Sequence, residues 1–100
     1  MIKHIVLFRI LDYASSTDKN NKARQIKQSF GTLKTKIDGI VEYKTAINSG
    51  NNPSAYDVSI EATFNSWEAL AQYAKHPEHL KAIAENKIIA KEKAVIDYEF

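Results

Sequence analysis

The chain has 100 residues, 44% hydrophobic and 26% charged, which fits one globular domain (1–100) and excludes the low-hydrophobicity, high-charge compositions that stay disordered. Its 14 basic and 12 acidic residues give a formal charge of +2 and are interspersed, with no basic block to follow a phosphate backbone, so no nucleic-acid partner is expected. Cysteine is absent, which excludes disulfides, thiolate metal sites and a cysteine nucleophile; the apolar run Ile5-Val6-Leu7-Phe8 ends at Arg9, so neither a leader nor a membrane span is expected and the location is expected to be cytoplasmic.

From Ile2 to Leu11 the residues are mostly β-branched or bulky, broken only by Lys3, His4 and Arg9, which predicts a strand with both faces substantially covered. The run Ala14-Ser15-Ser16-Thr17-Asp18 supplies N-cap chemistry for a helix. In it Ala23, Ile26, Phe30, Leu33 and Ile37 form one stripe at steps of three and four, and Gly39 stands as its stop. Ile40 to Asn48 reads as a second strand with Val41, Tyr43, Thr45 and Ile47 on one side, closed by the turn-forming stretch 48–54.

The third strand alternates most cleanly: Tyr56, Val58, Ile60, Ala62 and Phe64 against Asp57, Ser59, Glu61 and Thr63. Asn65 with Glu68 resembles a capping box, and Trp67, Leu70, Ala71 and Ala74 then give a helical stripe to about Lys75. Pro77 suits the first position of a new helical turn, continued by Leu80, Ile83, Ala84 and Ile88. Lys93 to Phe100 is the last strand.

The order β-α-β-β-α-α-β predicts an α+β, ferredoxin-like domain with an antiparallel four-stranded sheet. Helices can cover only one face of it. Even positions of the first, third and last strands are nearly all apolar and are expected against the helices. The odd positions mix Ile5, Leu7 and Val95 with Lys3, Arg9, Asp57, Glu61, Asp97 and Glu99, a composition suited to an association surface. A domain this small buries only roughly two-thirds of its unfolded surface, so a homodimer closed face to face is expected, a dimeric α/β barrel.

The opening Ile2-Lys3-His4-Ile5-Val6-Leu7-Phe8-Arg9, Gly50-Asn51 with Tyr56-Asp57, Phe64-Asn65-Ser66, the segment Tyr73-Ala74-Lys75-His76-Pro77-Glu78-His79-Leu80 and the closing Asp97-Tyr98 together resemble the stress-responsive A/B barrel domain (Dabb) family over essentially the whole chain. The resemblance implies a two-subunit barrel with a hydrophobic cavity between sheet and helices, and no cofactor. The family's members range from plant stress proteins and uncharacterised bacterial proteins to olivetolic acid cyclase. In that enzyme a tyrosine on the second helix and the second histidine of His-Pro-x-His do the acid-base work; these positions fall on Tyr73 and His79. A further pocket histidine of the cyclase aligns with Val58, a departure from that enzyme's pattern.

His79 is thus the candidate catalytic base, since a neutral imidazole can take and return a proton near pH 7, and Tyr73 the candidate hydrogen-bond donor; the alternative for His79 is a hydrogen bond that holds the helix break. The expected pocket lining is His4, Val6, Phe8, Phe30, Val58, Trp67, Tyr73 and His79. His4 reads equally as a satisfied core histidine, and Trp67 and Phe30 as ordinary core. His76, before a proline, is expected to shape the joint. No metal is expected, because His76 and His79 lack an obvious third ligand beyond a carboxylate such as Glu78. Arg9 is expected in a cross-strand or interface ion pair.

Three readings of function stay open. The first is a binding module for a small apolar or aromatic metabolite. The second is a cofactor-free acid-base enzyme of the cyclase or isomerase kind, or a monooxygenase of the sort related barrels host. The third is a structural stress protein without ligand.

Overall fold

The computed structural model describes Met1–Phe100. Eight elements are present, which apart from the added short α2 follow the expected order: β1 (Ile2–Arg9), α1 (Ser16–Gly31), α2 (Leu33–Lys36), β2 (Ile40–Ile47), β3 (Val58–Phe64), α3 (Trp67–Lys75), α4 (Pro77–Asn86) and β4 (Glu92–Glu99). The strands form one sheet in the order β2-β3-β1-β4, every pair antiparallel. This is the ferredoxin-like α+β arrangement. No helix is long and apolar enough to cross a membrane.

Local chemistry sets each boundary. Ser15 caps α1 by accepting from the Asp18 amide at 3.1 Å, while the Asp18 carboxylate accepts from the Ala14 amide at 2.9 Å, a reciprocal closure of the first turn. The stripe expected to run unbroken to Ile37 is interrupted at Thr32, just after Gly31, a residue that weakens helix interiors. Phe30, Leu33 and Ile37 are nevertheless all buried, because the short α2 resumes the same face. Gly39 ends the segment at φ 93°, left-handed backbone that a side chain would strain.

The second helical region starts one residue later than the Asn65 cap predicts. Ser66 is the cap, its Oγ accepting from the Ala69 amide at 3.2 Å. Ala69, Leu70 and Tyr73 face the sheet, while Ala71 and Ala74 are exposed.

The core lies between the sheet and the helices, built from Ile2, Val6 and Phe8 of β1, Val58, Ile60, Ala62 and Phe64 of β3, and Ala23, Ile26, Phe30, Leu33, Ile37 and Tyr73 from the helical side. Asp57 is buried beside it. Its carboxylate accepts from the Ile10 amide at 2.7 Å and meets Lys19 at 3.1 Å, which ties the end of β1 to the start of β3 and to α1.

The sidedness expected for the last strand is reversed. His4 pairs with Asp97, Val6 with Val95 and Phe8 with Lys93, so the odd positions of β4 share the helix side with the even positions of β1. Ala94, Ile96 and Tyr98 fall with Ile5 and Leu7 on the bare side. Ile96, Tyr98 and Phe100 are exposed there, with Lys3 over the Phe100 ring. The cause is register: direct antiparallel partners occupy the same face, and β4's pairing with β1 puts odd against even. Arg9 and Glu92 close one end of this bare face with an ion pair at 3.0 Å.

Candidate functional site

The helices pack closely on β1, β2 and β3, and none packs closely on β4. Consequently a cavity of about 390 Å³ remains between the β1–β4 half of the sheet and the α3–α4 hairpin. Its inner wall is apolar and aromatic: Val6, Phe8, Phe30 and Ile60, with the Phe8 and Phe30 rings tilted against each other at 5.3 Å between centroids. Tyr73, His79 and His4 supply the polar groups, and Val95 lines it from β4. Asn86, buried at the end of α4, donates to the Ala82 carbonyl at 2.8 Å and leaves its own oxygen unpartnered.

Of the residues expected to line a pocket, His4, Val6, Phe8, Phe30, Tyr73 and His79 are brought together here, whereas Val58 and Trp67 are not. Val58 is sealed in the core between Phe8 and Ile47, and Ile60 takes the β3 place on the cavity wall. Trp67, the first residue of α3, is 48% exposed, because the face of α3 turned to the sheet carries Ala69, Leu70 and Tyr73.

The helix break organises His79. Pro77 has no amide to give to Tyr73, whose carbonyl instead accepts from His76 N–H at 3.1 Å. His76 caps α4: its Nδ1 accepts from the Glu78 amide at 3.0 Å. With that amide diverted, no backbone N–H reaches the Ala74 carbonyl, and His79 Nδ1 takes its place at 2.9 Å. A carbonyl only accepts, so Nδ1 carries the proton and Nε2 presents a lone pair in the neutral ring.

Burial holds the His79 pKa below its ordinary 6.5; the Ala74 bond works in the opposite sense, and the charges of His4, Lys93 and His76 push it down further. The ring is therefore neutral at pH 7. Because the folded-state value lies below the unfolded one, the unfolded chain binds more protons in the window beneath 6.5. Stability is then fully present above about pH 6.5 and declines as pH falls toward the lower folded value. Urea midpoints followed from about pH 8 to about pH 5 should fall less steeply in His79→Gln than in the parent; parallel profiles would contradict the assignment.

Tyr73 is buried and its hydroxyl lies 2.9 Å from that of Tyr43 on β2. Burial raises both pKa values, Tyr73 to about 12 and Tyr43 well above the usual phenol range, so both remain neutral donors. When Tyr43 donates to Tyr73, the Tyr73 proton is free for a ligand. The Tyr73 and His79 rings lie 4.4 Å apart between centroids, and His4 meets the Tyr73 ring edge-on at 5.9 Å.

Two contributors escape the sequence reading. Asp97 hydrogen-bonds His4 Nδ1, and since a carboxylate accepts, the His4 proton sits on Nδ1 and its Nε2 also carries a lone pair when neutral. Tyr43 supports Tyr73. The signal for Asp97 is the strand register, which parity alone misassigns. No group of three or more His, Asp or Glu side chains lies close enough to hold a metal ion.

A family model for the stress responsive A/B barrel domain matches residues 2–100. An uncharacterised protein of Streptomyces coelicolor is 30% identical over 100 residues, all of both chains. Among solved structures, a dimeric ferredoxin-like protein of unknown function from Bacteroides fragilis superposes with a TM-score of 0.86 at 28% identity, over 99% of this chain and 95% of that one. Hydroxynitrile lyase from Passiflora edulis shares the fold with a TM-score of 0.77 at 21% identity, over 97% and 90%.

Proposed function

We propose that this chain, which belongs to the stress-responsive A/B barrel domain family, works as a homodimer that binds a small, largely apolar molecule between sheet and helices. The observation that carries the reading is the cavity itself: about 390 Å³, walled by Val6, Phe8, Phe30 and Ile60, with Tyr73, His79, His4 and Asn86 supplying polar groups on its wall and three lysines bordering it. An apolar chamber with a small number of convergent polar groups is the usual form of a metabolite site. The dimer is supported by the exposed Ile96 and Tyr98 of β4 beside the half-buried Ile5 and Leu7 of β1, and by the dimeric relative from Bacteroides fragilis.

Acid-base chemistry on the bound molecule is the second reading, favoured by the two imidazoles whose Nδ1 protons are committed elsewhere. Nε2 of His79 would remove a proton adjacent to a carbonyl, and the Tyr73 hydroxyl would donate to the oxygen on which charge develops. Asp97 orients the His4 ring through its Nδ1. A hydroxynitrile lyase of the same fold adds catalysis on this scaffold as an analogy only.

Native mass spectrometry of the purified protein, followed by calorimetric screening of apolar metabolites, tests the first reading. Retention of a ligand by the wild type and a drop in affinity of about tenfold in His79→Ala are expected, the scale of one lost hydrogen bond to a buried partner. A chain that takes up none of them would refute the binding proposal. Wild-type turnover that His79→Ala retains in full would end the catalytic one.

A further inference from the structure

The open side of the cavity has a charge pattern that the apolar interior does not require. Lys87 at the end of α4, Lys91 in the following turn and Lys93 on β4 all border it, and none of its lining residues is Asp or Glu. Lys91 has a distant-sequence partner, Asp12, at 3.3 Å. Lys87 and Lys93 form no ion pair. The acidic residue next to Lys93 in sequence, Glu92, falls on the opposite face and is engaged by Arg9.

Two cations without carboxylates at the mouth of a low-polarity chamber create a positive potential concentrated where a bound molecule would protrude. Lysine stems can lie against an apolar body while their ammonium groups meet a charge at its end. Lys93 sits directly opposite Phe8 in the sheet, so its stem starts from the cavity floor. Its charge is also felt at His79, whose pKa it lowers.

Resting on the proposal that the cavity binds a metabolite, we infer that its ligand is an amphipathic anion. Its apolar body fills the chamber, and a terminal carboxylate or phosphate meets Lys87 and Lys93. An ammonium is a point charge without the planar fork of an arginine, so the site recognises negative charge rather than one anion geometry.

The test uses three probes that share a naphthalene body: 2-naphthoate, 2-naphthyl phosphate and the neutral 2-naphthylmethanol. Binding is measured by calorimetry on the full chain at low salt and at about 0.3 M salt, where exposed charges are strongly screened. At low salt at least one anion should bind about tenfold or more tighter than the alcohol, the scale of a charge-assisted contact, and salt should narrow the gap. Which anion binds better identifies carboxylate or phosphate as the group recognised. In Lys87→Gln/Lys93→Gln the anion preference should collapse while 2-naphthylmethanol binds as before; both positions are exposed, so the fold should be kept. Equal affinity for anion and alcohol in the wild type, or a preference that survives the double substitution, overturns the inference and leaves the pocket reading standing. Failure of all three probes to bind overturns both.

Discussion

Tyr73→Ala should cost the fold about 3–5 kcal/mol, the range for removing a large aromatic side chain from a packed core. Tyr73 is 2% exposed and touches Phe64, Tyr43, His4 and His79 through its ring, so its loss opens a void at the junction of α3 and the sheet. Against a typical total of about 5–15 kcal/mol this is a large share, and urea unfolding should show a much lower midpoint. Tyr73→Phe separates packing from chemistry. It keeps the ring and removes only the hydroxyl, so the stability cost should be about 1–2 kcal/mol from the unpartnered Tyr43 oxygen, while ligand affinity or turnover falls. A Tyr73→Ala variant within about 1 kcal/mol of wild type would show that the ring does not fill the core as described.

Ile96→Glu should convert a dimer into monomers. Ile96 is 58% exposed in the isolated chain and pairs with Ile5 across the bare face of the sheet, flanked by Ala94 and Tyr98. In a twofold interface each substitution occurs twice, and two carboxylates would be placed in the apolar strip without partners. Weakening of the dimer by about 100-fold or more is expected, equivalent to about 2.7 kcal/mol. Sedimentation equilibrium reads the change, and an unaltered far-ultraviolet dichroism spectrum shows that the subunit still folds. A wild type that stays monomeric at high concentration, or a variant that dimerises as before, would remove the bare face as the contact.

Element order was legible because each element carries its own local signal: the period-two alternation of Val58 to Phe64, the stripe from Ala23 to Ile37, the proline at the helix joint. The phase of the last strand was not. Both of its faces contain apolar residues, Val95 on one and Ile96 on the other, so alternation alone cannot choose between them. Hydrogen-bond register with β1 decides, and that depends on how the chain returns between Asn86 and Glu92. The same ambiguity concealed Asp97 as the partner of His4. Trp67 was misplaced for a related reason: the apolar residues of α3 fit two overlapping stripes, Trp67, Leu70, Ala71 and Ala74 or Ala69, Leu70 and Tyr73, and spacing alone does not choose between them. Tyr43 was visible on the inward stripe of β2, but its hydroxyl contact spans β2 and α3, a distance no local pattern encodes.

The interruption at Pro77 ties the continuity of the helix to the tautomer of His79 through a single oxygen atom. An uninterrupted rod would enlist the Ala74 carbonyl in its own ladder, and His79 would lose the acceptor that decides which of its nitrogens is basic. A continuous helical ladder and a lone pair on Nε2 thus draw on the same group in opposite directions, so gaining one costs the other.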